Sequence, residues 1–183
     1  MIKLISKILQ SIILSSTTYY DELYILIKPY DLQLCLKILR DNTVTQFKQL
    51  IDISTVDYPE RGNRFEVIYH LLSIKYSKRI SIRTFTDELM PLQSMCALFS
   101  SSNWSEREAW DMMGIFFKGH PDLRRILTDY GFSGYPLRKD FPLSGYLEVR
   151  YDDSDKHIRY EPIELAQEFR NYDYLSPWSK HVS

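Results

Sequence analysis

Two periodicities run through the chain. Leu23, Ile25 and Ile27 alternate with Tyr24 and Leu26, which predicts a strand over 21–28, ended by Pro29 because proline cannot donate to a ladder. Behind Asp31, a helix-capping residue type, the apolar spacing lengthens: Leu32, Cys35, Leu36 and Leu39 fall on one face of a helix that Asn42 and Thr43 break. Alternation returns over 49–56, and D-Y-P-E-R-G-N at 57–63 has the chemistry of a turn. Runs rich in β-branched and aromatic residues at 64–72 and 79–85 predict two more strands. Pro91 suits the first turn of a short helix over 91–98. A further helix, stopped by Gly114, starts at Asn103 or Ser105, each with a glutamate three residues on in capping-box spacing. At the N-terminus, Ile5, Ile8, Leu9 and Ile12 recur at helical spacing. A packing helix is the plain reading there; a targeting peptide and an interfacial membrane helix are the alternatives.

The order of these elements, with short connections, predicts an α+β fold: a mostly antiparallel sheet with helices packed on one face. After Gly119 the pattern stops. Pro121, Pro136, Pro142, Gly131, Gly134 and Gly145 are mixed with Tyr130, Phe132, Tyr135 and Phe141, a composition that neither propagates a helix nor pairs as a central strand. It is too aromatic for a disordered linker, so other surfaces are expected to order it. Residues 146–151 read as one extended strand. The expected organisation is therefore an α+β domain over 1–118 and a long extended C-terminal arm over 119–183.

Composition narrows the function classes. With 183 residues the chain holds one proper core plus an arm. A net charge of −1 gives no global basic surface for nucleic acid. Two cysteines, Cys35 and Cys96, cannot alone supply a four-thiolate cluster or a four-ligand zinc site, and Cys35 on its apolar face reads as an inert buried thiol. No apolar run approaches the roughly 20 residues that span a bilayer. Fourteen tyrosines exceed what a small core requires and suit surfaces with one dry side.

The densest chemistry lies in W-S-E-R-E-A-W-D-M-M-G-I-F-F-K-G-H-P-D-L-R-R-I-L, residues 104–127. It packs Glu106, Arg107, Glu108 and Asp111 into little more than one helical turn. The plain reading is an exposed Arg107–Asp111 pair at i, i+4, worth only about 0.3–0.5 kcal/mol, so a buried or interfacial network explains this density better. His120 has no second histidine at metal-ligand spacing, and a hydrogen-bonded structural role is preferred to that of a ligand or base. Arg124 and Arg138 are candidates for salt bridges across a subunit boundary, beside Asp140 in P-L-R-K-D. Neither a P-loop nor a dinucleotide-binding glycine pattern is present.

This stretch resembles the thirty-kilodalton subunit family of respiratory complex I, the proton-pumping NADH:quinone oxidoreductase. Three further blocks agree: D-I-S-T-V-D-Y-P at 52–59, R-F-E-V-I-Y-H-L-L-S at 64–73, and Y-G-F-S-G-Y-P-L-R-K-D-F-P-L-S-G-Y-L-E-V-R-Y-D-D at 130–153. The resemblance implies a core subunit of the peripheral arm with no catalytic residue, metal ligand or cofactor of its own. Flavin, iron–sulfur clusters and quinone would then reside in partner subunits, chiefly the large quinone-site subunit and its cluster-bearing neighbours. Glu106, Arg107, Glu108, Asp111, His120, Arg124, Arg138 and Asp140 are the expected signature or interface residues. The expected location is the matrix side of the mitochondrial inner membrane, peripherally bound, with the bacterial cytoplasmic membrane or the thylakoid as alternatives. Two other readings stay open. One is an autonomous enzyme using His120 with Glu106 or Asp111; the other is an RNA-binding module stacking bases on Phe65 and Tyr69.

Overall fold

The computed structural model describes residues 5, 7–20, 22–172 and 178. Its chain forms two compact units, Met1–Phe141 and Pro142–Ser183.

In the first unit, helical turns around Ile5–Leu9 lead into β1 (Ile13–Tyr19), β2 (Glu22–Ile27), helix α1 (Leu32–Asp41), β3 (Gln49–Asp57), β4 (Phe65–Ser73) and β5 (Lys78–Thr86). The sheet order is β1-β2-β5-β4-β3. Strands β3, β4 and β5 form an antiparallel meander, and β1 pairs antiparallel with β2. β2 and β5, however, run parallel, so the sheet is mixed. The reason is topological: a helical crossover through α1 returns the chain in its original direction, and β5, two hairpin reversals after β3, shares it.

Register gathers the buried side chains on one face. Leu23 lies beside Ile80, which lies beside Leu71; Ile25, Ile82, Tyr69 and Ile53 make the next row. Leu32, Cys35, Leu36 and Leu39 of α1 complete this core, as the period of 3.6 required. Phe65 and Tyr69 are fully buried, which removes them as base-stacking platforms.

The segment expected as a helix over 91–98 instead holds a two-residue strand, β6 (Leu92–Gln93), parallel to β7 (Phe117–Lys118). The amides of Leu92 and Ser94 donate to the carbonyls of Phe116 and Lys118, so long-range pairing overrides the local helix signal. Between them runs α2 (Ser102–Met113), capped at its C-terminus by Gly114 at φ +78°. It starts at Ser102, so Asn103 and Ser105 lie within it, and neither forms the expected capping box.

Residues 119–141 were expected to leave the domain as arm. They belong to the first unit, held against α2 and β3 by the hydrogen bonds of Asp111, Arg138 and Asp57 described below. The second unit contains β8 (Leu147–Asp152) and β9 (His157–Pro162), an antiparallel pair. Leu147, Val149, Tyr151, Ile158 and Tyr160, with Pro162, share one exposed face of this hairpin. Glu148, Arg150, Asp152, His157, Arg159 and Glu161 share the other, where Arg150 bonds Glu161 at 2.7 Å and Arg159 bonds Asp152 at 3.2 Å. Residues 173–177 and His181 lie outside the described residues.

Candidate functional site

Helix α2 turns its charges in two directions. Ser102, Glu106, Ala109 and Met113 follow helical spacing into the core. Asp111 lies on the opposite side and is buried there beneath the loop at 125–128. Its Oδ2 accepts the backbone N–H groups of Ile126, Leu127 and Thr128 at 3.2, 2.8 and 2.9 Å. Its Oδ1 accepts the Thr128 hydroxyl at 2.7 Å and the Arg125 guanidinium at 3.3 Å. Burial works to raise the pKa of this carboxyl, but the Thr128 hydroxyl and the three N–H groups together hold it below the ordinary carboxylate value.

Arg107 does not pair with Asp111. Its guanidinium donates to the carbonyls of Arg124 and Arg125 at 3.1 and 3.3 Å, so the two side chains clamp the same loop from one helix face. Arg125, which the sequence pattern did not single out from Arg124, donates to Gly134 O at 2.9 Å and lies 5.2 Å from the Tyr135 ring centroid. Arg124 is exposed and bridges Asp122 at 3.0 Å. Glu108 is exposed, with no hydrogen bond among the described residues, and Trp104, one turn before it, is 71% exposed.

Glu106 is fully enclosed. Its Oε2 accepts the Ser94 hydroxyl at 2.6 Å, and Oε1 accepts the Met95 N–H at 2.7 Å. Burial raises this acid above its ordinary value, against the pull of those donors. The buried His120 side chain stands 4.0 Å away. Cys96, Glu106 and His120 thus offer S, O and N atoms within 4.8 Å of one another. The hydrogen bonds decide what they can do. His120 Nδ1 must accept, because the Asp122 N–H donates to it at 3.1 Å. The ring proton then sits on Nε2 and donates to Asn103 O at 3.1 Å. As arranged, His120 presents no free lone pair to a metal or to a substrate proton. The reading of His120 as a catalytic base loses its chemistry here.

A second network lies at the end of the sheet. Arg64 forks onto Asp57 at 2.7 and 2.9 Å and reaches Asp140 at 3.0 Å and Glu88 at 3.1 Å. Arg138 bonds Glu88 at 2.8 Å, and its Nε donates to Met113 O at 2.7 Å, closing the C-terminus of α2. Its guanidinium lies 4.4 Å from the Tyr135 ring centroid. The Lys139 N–H donates to Asp57 Oδ2 at 2.8 Å. The Arg64 hydrogen bond holds the Asp57 carboxyl below its usual range, outweighing burial. Asp57 and Arg64 stand in the blocks that carry the family resemblance, yet no spacing marked them. Arg64 meets Asp57 through strand pairing and Asp140 through a contact 76 residues along the chain, and neither leaves a local trace.

Arg124 and Arg138 both find carboxylate partners within the chain. Seven of the eight expected signature residues are drawn into the two neighbouring networks or their rims; Glu108 is the exception.

Comparison with known proteins points one way. The family model described as "Respiratory-chain NADH dehydrogenase, 30 Kd subunit" matches residues 25–147. "NADH-ubiquinone oxidoreductase subunit 9" of Reclinomonas americana is 49% identical over 180 residues, covering 98% of this chain and 86% of its own length. A bacterial relative, an NADH-quinone oxidoreductase subunit from Parvibaculum lavamentivorans, is 52% identical over 170 residues, covering 93% of this chain and 85% of its own. A solved structure of the trypsin-resistant fragment (1-134) of Nqo5 aligns with TM-score 0.52 and 28% identity, over 60% of this chain and 89% of that one.

Proposed function

The chain belongs to the 30-kDa subunit family of the respiratory-chain NADH dehydrogenase, and from that premise we propose that its part in the enzyme is to position other subunits rather than to carry electrons. It is a core subunit of the peripheral arm of complex I, the assembly that passes electrons from NADH to quinone. None of its described helices is long and apolar enough to cross a membrane. In our reading it holds no flavin, cluster, metal or quinone. Its partners are the large quinone-site subunit and neighbouring iron–sulfur subunits, on the matrix side of the mitochondrial inner membrane.

The observation that carries this reading is the β8–β9 hairpin. A two-stranded ribbon is marginally stable alone, and this one exposes an unbroken row of large apolar side chains while its charges pair on the reverse face. Such a face is built to be covered. The inward use of Glu106, Arg107, Asp111 and Arg138 agrees with it: they hold neighbouring backbone, and their hydrogen bonds are already made.

Deleting residues 142–183 should leave Met1–Phe141 folded and abolish entry into the complex. The double substitution Val149→Asp, Tyr160→Asp should lower incorporation without unfolding the chain. Native gel electrophoresis with NADH-dehydrogenase staining reads both. A fully assembled, active complex carrying the truncated chain would refute the proposal.

A further inference from the structure

The five-stranded sheet has two edges, and only one is protected. Strand β3 carries Asp52 and Asp57, is irregular between Leu50 and Asp52, and has α2 against it, with the Ser101 hydroxyl donating to Leu50 O at 3.0 Å. Charge, bulge and cover are the usual means by which an edge avoids pairing with another chain. Strand β1 at the other edge lacks most of them. It reads Ile-Leu-Ser-Ser-Thr-Thr-Tyr, and no charged residue occurs between Lys7 and Asp21. Its one irregularity lies at the start, between Ile13 and Ser15, leaving Ser15–Tyr19 in unbroken register with β2. Every residue from Leu14 to Tyr19 is exposed.

In an antiparallel ladder the backbone groups of alternate residues point away from the neighbouring strand. Among the described residues no strand pairs with the outer side of β1, so about half of its N–H and C=O groups face outward. β-Branched threonines keep that backbone extended. Leu14 and the edge-to-face pair Tyr19–Tyr20, with ring centroids 4.3 Å apart, offer apolar contacts at its two ends.

We infer that the outer edge of β1 is a docking edge that accepts an extended strand from another polypeptide of the complex. The occupant joins by main-chain hydrogen bonds, as in β-strand addition. It is itself poor in charge over about five residues, because a charge set against Ser15–Tyr19 would find no counter-ion there. This inference rests on the chain being a subunit of a larger assembly, and it favours a heterologous strand over a second copy for that reason.

Amide hydrogen exchange on the purified complex tests it. Within the complex, all amides of Ser15–Tyr19 should exchange as slowly as those of β2, with none of the alternation an open edge produces. In the free full-length chain, alternate amides should exchange about tenfold faster or more. Alternation that persists in the complex overturns the docking edge while leaving subunit membership intact. Protection already present in the free chain, together with a dimer in sedimentation, assigns the edge to a second copy and overturns it as well. A chain that does not co-purify with the complex overturns both readings.

Discussion

Asp111 and Glu106 are both buried carboxyls on one helix, yet their surroundings push them apart. Asp111→Ala would leave three backbone donors and the Thr128 hydroxyl without their acceptor, and should cost about 3 kcal/mol in urea unfolding of the full chain. Glu108→Ala, exposed one turn away, should stay within about 0.5 kcal/mol. The pH dependences have opposite signs. Asp111 sits below its ordinary value of 3.8, so its stabilisation is complete above that pH and is lost as pH falls through the lower folded value. Glu106 sits above its ordinary value of 4.5, so the fold is favoured below that pH and loses this contribution as pH rises through the higher folded value. Glu106→Gln should therefore flatten the decline of stability above about pH 4.5, as measured by denaturant midpoints across pH. A variant that keeps the wild-type slope would show that Glu106 is not the group responsible.

At the scale of elements, α1 and the meander β3–β5 were legible because each buries one face and leaves a clear period. The elements that escaped bury little. β1 has Ser and Thr on both sides and shows no apolar alternation. β9 (H-I-R-Y-E-P) alternates charge with exposed apolar residues and lies in a unit without a buried core among the described residues. β6 is two residues long and exists only through β7. The candidate site was legible as a cluster but not as a geometry. The spacing of Arg107 and Asp111 suggested a pair, whereas both side chains face the loop at 124–128. Gly114 does stop its helix as its residue type implies, and its demand is severe. A Cβ there would stand 2.6 Å from Arg138 Nη2 and 2.8 Å from the Tyr135 ring, on a backbone at φ +78°. Gly114→Ala should cost roughly 2 kcal/mol or more, read as a lower thermal midpoint, through left-handed strain and displacement of Arg138.

For the molecule as a whole, the expected boundary at 118/119 followed the change in composition, but the first unit continues to Phe141. Proline, glycine and aromatic residues end regular structure without ending packing, since side chains such as Arg138 and Tyr135 still reach α2 and the backbone of Lys139 still reaches Asp57. A chain cut after Tyr130 should consequently have a lower thermal midpoint than one cut after Phe141. The hairpin beyond carries a different consequence. Copies made in excess of their partners would bear an adhesive stripe of leucine, valine, isoleucine and tyrosine into the surrounding medium, where it invites clumping and exposes nearby backbone to proteases. Orphans should be short-lived, so that the cellular amount of this polypeptide follows the supply of whatever shelters that stripe.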